Sequence, residues 1–167
     1  MSTVCSFAKT LIEDFGRHLG VPDVCFNKSG VCRLIVAERF TVDLEYLEDR
    51  RPNELPQIGI HCVLHHEAND LAKLYRHFLA SNLYDRASNR SILGIDEERD
   101  ELILFRYIGL HGVDVHRLDS VLSQFVATAT RMLDYITLMH VNPASDQHHT
   151  SSRKPSCKSD NPAFLKV

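Results

Sequence analysis

Apolar positions along the chain switch between helical spacing and strand spacing, and the switches divide it into eight elements. Phe7, Leu11, Ile12, Phe15 and Leu19 recur three and four residues apart, which predicts an opening helix. Ser2 or Ser6 is placed to cap its start. Gly20 stops it, and Pro22 prevents its continuation. Val24, Cys25 and Phe26 read as a short strand, and Asn27-Lys28-Ser29-Gly30 as a turn. Residues 31–36 and 40–47 read as a hairpin pair. In the second of these Phe40, Val42, Leu44 and Tyr46 alternate with Thr41, Asp43 and Glu45, so one face is wet. Residues 50–56 form a loop. Residues 58–64 give a third strand with Ile58, Ile60, Cys62 and Leu64 on one face.

The second half reverses the order. Leu71, Leu74, Tyr75, Phe78 and Leu79 mark a helix over about 67–83, with Lys73, Arg76 and His77 on its polar side. Residues 91–95 and 101–108 read as a hairpin across 96–100. Asp114 can cap a last helix. Its wide apolar stripe runs through Leu118, Val121, Leu122, Phe125, Val126, Ala129, Met132, Leu133 and Ile136. The expected architecture is α+β, in the order α-β-β-β-α-β-β-α, with a twisted antiparallel sheet and helices. Residues 1–140 form one domain. Pro143 ends regular structure, and 141–167, rich in Ser, Pro, His and Lys, are expected to be a disordered tail.

Two strands carry more apolar surface than this architecture needs. Residues 31–36 have Cys32, Leu34 and Val36 on one face and Val31 and Ile35 on the other. Residues 101–108 set Leu102 and Leu104 against Ile103, Phe105 and Tyr107. An antiparallel sheet with helices on one side ordinarily shows a polar outer face. Two-sided strands therefore call for a second cover: another helix, a partner subunit or a bound peptide.

Composition narrows the class. The 167 residues are 44% apolar and 25% charged, ordinary for one globular domain with a single core. No apolar run approaches the roughly 18 residues of a membrane span, and the N-terminus lacks the basic flank and apolar run of a secretory signal, so a cytoplasmic protein is expected. The net charge is −3. Residues 141–167 carry four basic and two acidic residues, so 1–140 hold −5. A mildly acidic body argues against nucleic acid, which wants a basic patch.

Candidate chemistry is sparse. The five cysteines, Cys5, Cys25, Cys32, Cys62 and Cys157, are odd in number and form no Cys-x-x-Cys pair, so they read as small apolar residues. Nothing in the pattern pairs Cys25, Cys32 or Cys62 with a histidine base, so no thiol nucleophile is expected. No glycine loop suited to a phosphate is present. His61, His65 and His66 near a strand end offer the alternative reading, a small α+β metal-binding or enzymatic domain. A zinc site would need three or four such ligands to converge.

Three phrases in order carry a resemblance. They are the helix end Leu19-Gly20-Val21-Pro22, the strand start Gly30-Val31-Cys32-Arg33-Leu34, and Leu79-Ala80-Ser81-Asn82 ahead of Ser91-Ile92-Leu93-Gly94-Ile95-Asp96. Together, over about residues 5–140, the chain resembles the class I chaperones of bacterial type III secretion, the Tir/CesT-like family. The resemblance implies a homodimer with the middle helix near its axis and no enzymatic activity or cofactor. It also implies binding to the N-terminal segment of secreted effector proteins, which is kept unfolded and soluble and passed to the secretion ATPase. Neither nucleic acid nor membrane insertion is implied. The surplus apolar residues Val31, Ile35, Ile103, Phe105 and Tyr107, with Phe15 and Phe26, are the expected effector contacts. Leu71, Leu74, Tyr75 and Phe78 are the expected dimer seam, and Leu34, Val36, Leu102 and Leu104 are expected in the core.

Overall fold

Helix α1 (Ser6–His18) ends as its sequence dictates. Gly20 takes φ +69°, its N–H donates to Arg17 O, and Val21 N–H donates to Gly16 O at 3.0 Å. This paired closure needs a left-handed residue, which glycine adopts without steric cost. The start differs from expectation: Cys5 is the N-cap, with no side-chain bond, and Ser6 already lies in the first turn. A computed structural model describes residues 4–21, 23–48, 56–65, 71–83 and 89–141.

The described strands are β1 (Val31–Val36), β2 (Phe40–Leu47), β3 (Gln57–Leu64), β4 (Ile92–Asp96) and β5 (Glu101–Gly109). They form one antiparallel sheet in the order β1-β2-β3-β5-β4. Helix α2 (Leu71–Asn82) lies between β3 and β4 in sequence, and α3 (Val115–Val141) follows β5. The order of elements is the expected one. The small strand expected at 24–26 is absent. Only Asn27 reaches β1: its N–H donates to Val31 O at 2.8 Å, and its Oδ1 accepts from Ser29 and Val31 N–H. An Asn side chain that bonds its own backbone makes a turn rather than a ladder.

The three helices cover one face of the sheet. Val42, Leu44, Ile58, Ile60, Cys62, Leu64, Leu102 and Leu104 alternate along their strands and are buried to within 2% of complete. Ala8, Ile12 and Phe15 from α1, Leu74 and Phe78 from α2, and Leu118, Phe125 and Ala129 from α3 close over them. At 27 residues α3 is about 40 Å long, enough to touch both other helices. Near its start Asp119 lies 3.5 Å from His18 of α1. Near its end Tyr135 stacks on His77 of α2 with ring centroids 3.7 Å apart. Asp114 caps α3, its Oδ1 accepting from Arg117 N–H at 2.7 Å, as expected.

The phrase Leu79-Ala80-Ser81-Asn82 has a mechanical role. Asn82 Oδ1 accepts from Leu93 N–H at 2.9 Å, and its Nδ2 donates to Leu93 O at 3.0 Å. One side chain thus satisfies both outward backbone groups of an edge-strand residue and ties the end of α2 to β4. Replacement Asn82→Ala is expected to lower stability by about 1–3 kcal/mol, since both groups lose a partly buried partner. Urea unfolding would read this, and an unchanged midpoint would show that the clamp does not hold the edge.

Candidate functional site

The face opposite the helices has no cover among the described residues. Strand register places one row of side chains across it: Arg33 on β1, Asp43 on β2, His61 on β3, Phe105 on β5 and Ile92 on β4. The row is polar at the β1 end and apolar at the β4 end.

The polar end is an ion-pair network centred on Asp43. Arg33 Nε and Nη2 donate to the two carboxylate oxygens at 2.7 and 2.6 Å, a bidentate pairing, and His61 Nε2 lies 3.7 Å from Oδ2. The Asp43 side chain is 12% exposed and that of Arg33 65% exposed, so the acid is sheltered by a base that stays in water. The Arg33 hydrogen bonds hold the Asp43 carboxyl below its ordinary range. Partial burial opposes this, and the charges of Arg33 and His61 reinforce it.

The apolar end is formed by Ile92, Ile103, Phe105 and Tyr107, with Phe105 and Tyr107 edge to face at 5.6 Å between centroids. Tyr107 is 53% and Ile92 47% exposed. Its ring passes over Gly59, where an added Cβ would stand 3.7 Å from Tyr107 Cε1 and 3.2 Å from Leu47 Cδ1. Across the sheet Val31 and Ile35 lie on the same face, and Ile35 is the most exposed large hydrophobic residue described, at 74%.

The β1 edge is open beside Ile35. Val31 turns its N–H and C=O outward to Asn27, while Gly30 O accepts from Tyr46 N–H of β2 at 2.8 Å. Antiparallel ladders alternate. The N–H and C=O of Arg33 and Ile35 therefore also face away from β2, with no backbone partner among the described residues.

Most of the expected effector contacts meet on this face, but not all. Val31, Ile35, Ile103, Phe105 and Tyr107 lie together on it. Phe26 is half-buried against the core from the loop before β1. Phe15 is a correction: it is fully buried under α1 and offers nothing to a partner, because its helical position points it into the sheet. The expected dimer seam is corrected likewise. Leu74 and Phe78 are 0% and 2% exposed and pack on their own sheet. Leu71 and the half-buried Tyr75 stay at the surface, and Leu79 and Leu83 continue their row at 67% and 55% exposure. Ile95 of β4 joins them across a shallow apolar cleft lined by Tyr75, Phe78, Leu79, Leu93 and Leu102. Sequence reasoning missed Leu79, Leu83, Ile92 and Ile95. The four-residue spacing 71, 75, 79, 83 was the available signal.

The histidine alternative gains no support. His61 is engaged with Asp43, His65 is exposed, and His66 lies outside the described residues. Among the described residues no three His, Cys, Asp or Glu side chains converge to hold a metal ion. Cys32 and Cys62 are buried, and burial pushes their thiols up to about 11 and about 12, the direction of inert core residues. No described helix is long and apolar enough to cross a membrane.

Among the described residues the chain is a one-sided α+β sheet with an uncovered, partly apolar face and an open edge. Residues 10–133 match the model of the Tir chaperone protein (CesT) family, and the chain belongs to that family, whose members are non-enzymatic secretion chaperones. Solved structures share the fold. The HopA1–SchA chaperone–effector complex is similar at 21% identity and TM-score 0.65, over 77% of this chain and 94% of that one. The ExsC–ExsE complex is similar at 16% identity and TM-score 0.66, over 81% and 97%. The ExoT–SpcS complex from Pseudomonas aeruginosa is similar at 21% identity and TM-score 0.56, over 75% and 97%. No curated protein matches the sequence itself.

The Asp43 network sets a pH dependence. A carboxyl whose folded pKa is depressed stabilises the fold above its unfolded pKa, about 3.9, and loses that contribution as pH falls through the lower folded value. Asp43→Asn should therefore be less stable than the parent at pH 7, and the gap should close below about pH 4. A gap that is constant down to pH 2 would mean the carboxylate charge is not what matters.

Proposed function

We propose that this protein is a chaperone for the N-terminal segment of type III secreted effectors. It acts as a homodimer in the bacterial cytoplasm, holds the segment extended and soluble, and presents it to the secretion ATPase. The observation that carries the reading is the uncovered sheet face beside an open edge. An unfolded segment exposes apolar side chains together with unpaired backbone groups. The patch of Ile103, Phe105, Tyr107 and Ile92 accepts the first, as does Ile35. The outward N–H and C=O groups of Arg33 and Ile35 accept the second by strand addition. Phe26 and Val31 flank that edge and extend the contact. Ordering a segment costs conformational entropy, so the contact has to be long, which suits a surface spread over a whole sheet rather than a pocket.

The dimer seam in this reading is the apolar row of α2, Leu71, Tyr75, Leu79 and Leu83, with Ile95 of β4. This surface lies at the far end of the sheet from β1 and leaves the cargo face free.

Co-expression with N-terminal segments of effectors encoded in the same genome, read by light scattering, tests the reading. The expected result is a dimer of about 38 kDa, twice the 19.0 kDa of one chain, carrying one such segment. Ile35→Asp should weaken cargo binding at least tenfold and leave the dimer intact. Leu79→Asp should give a folded monomer, because Leu79 is exposed and its loss leaves the core alone. A parent protein that stays monomeric and ignores every segment would overturn the proposal.

A further inference from the structure

Neighbouring rows of side chains on the uncovered face differ in how their charges are matched. In the row through Arg33, Asp43, His61 and Phe105, both basic residues turn to the one carboxylate, with Arg33 on both of its oxygens. The next row reads Val31 on β1, Glu45 on β2, Gly59 on β3 and Tyr107 on β5. Its single charged residue, Glu45, is half-buried and enters no hydrogen bond or ion pair among the described residues. The acid is thus held on a surface whose basic residues are already spent on Asp43. Glycine at 59 leaves the row without a side chain between Glu45 and Tyr107. Leu47, two residues along β2 from Glu45 and on the same face, leans over the gap from one side and Tyr107 from the other. A Cβ on Gly59 would stand 3.2 Å from Leu47 Cδ1 and 3.7 Å from Tyr107 Cε1. Beside the unpaired carboxylate there is therefore an apolar shelf with an exposed aromatic ring.

Position gives this carboxylate a meaning. Its row joins the apolar patch of β5 to the open β1 edge, three strand spacings or about 14 Å apart. A segment that uses both crosses this row or the Arg33–Asp43 row, and only this one offers an unanswered charge. An apolar residue laid against Glu45 strips water from an unpaired carboxylate, which is costly unless a partner charge arrives with it. We infer that Glu45, with the shelf of Leu47 and Tyr107, is a basic-residue subsite of the cargo face: it receives a Lys or Arg side chain of the segment whose apolar residues rest on either side. The methylene stem of such a residue lies on the shelf while its charged head reaches the carboxylate. The Tyr107 ring adds a cation–π attraction. The inference rests on the cargo reading above and adds a selection rule, a basic residue set between apolar ones.

The test uses the full-length protein and two fluorescein-labelled peptides of alternating Val and Thr. One has a central Lys and the other norleucine there, which keeps the stem and drops the charge. Fluorescence anisotropy should show the Lys peptide binding roughly 3–10-fold tighter at low salt, the scale of one exposed charge pair joined by a cation–π contact. The preference should shrink as salt rises. Glu45→Gln should bring the ratio of the two affinities to about one, and Glu45→Lys should reverse it. Neither change removes a hydrogen bond or ion pair of the described structure, so the fold should survive, and circular dichroism checks this. Tyr107→Leu, at an exposed position, supplies an independent check and should lower the ratio about twofold. Equal binding of the two peptides to the parent protein overturns the subsite and leaves the cargo face standing. So does a ratio unmoved by Glu45→Gln and Tyr107→Leu alike. Failure of both peptides to bind the parent overturns the subsite and the cargo face together.

Discussion

The described structure is shaped by one constraint: its three helices lie on the same side of a five-stranded sheet. That side gains a dense core, with Phe15, Phe78, Phe125 and the inward row of each central strand sealed from water. The other side keeps what the core does not take. Full burial of a side chain such as Ile or Phe is worth about 1.5–3 kcal/mol, and Ile35 at 74% exposure forgoes most of it within one chain. Apolar residues left in that condition on a strand edge invite association. The same unused burial that would make the protein aggregate is what a chaperone needs to hold an unfolded segment.

The Arg33–Asp43–His61 network reads as the counterweight. It runs from the β1 edge to the central strand of the uncovered face, across part of the surface where a second sheet would otherwise stack. Covering it strips water from a carboxylate and a guanidinium, and that desolvation is repaid only by a partner with matching polar groups. Indiscriminate stacking is thereby opposed, while the apolar strip on β5 and β4 stays available. In-register pairing also keeps Arg33 folded down onto Asp43, so the β1 edge is not screened by its side chain.

Much of this was legible in the sequence, and the gaps have physical causes. The element order followed from periodicity, and the surplus on strands 31–36 and 101–108 pointed to the uncovered face because period two assigns each residue a side. Helical faces were harder. Leu74 and Phe78 share α2 with Leu71 and Leu79, and the helix is apolar over more than half its circumference. Periodicity alone does not say which part meets its own sheet, and register against β4 decides it. Phe15 was misplaced for the same reason. The short strand at 24–26 failed because Asn27 spends its bonds on its own turn.

The sheet order bears on how the two proposed surfaces coexist. β1 and β4 are opposite edges, separated by four strand spacings or about 19 Å. The apolar row of α2 with Ile95 sits at the β4 end on the helix side, whereas the open backbone of Arg33 and Ile35 sits at the β1 end. A dimer joined, as proposed, through α2 and the helix side of β4 keeps both β1 edges away from the seam, and the Ile92 patch lies on the opposite face of the sheet. One long segment can then engage two copies of the same groove, so its second contact forms at the high effective concentration set by the first. On this geometry the affinity for a long segment depends on the dimer even though no cargo residue touches the seam. Loss of the α2 contact should then weaken long segments far more than short ones.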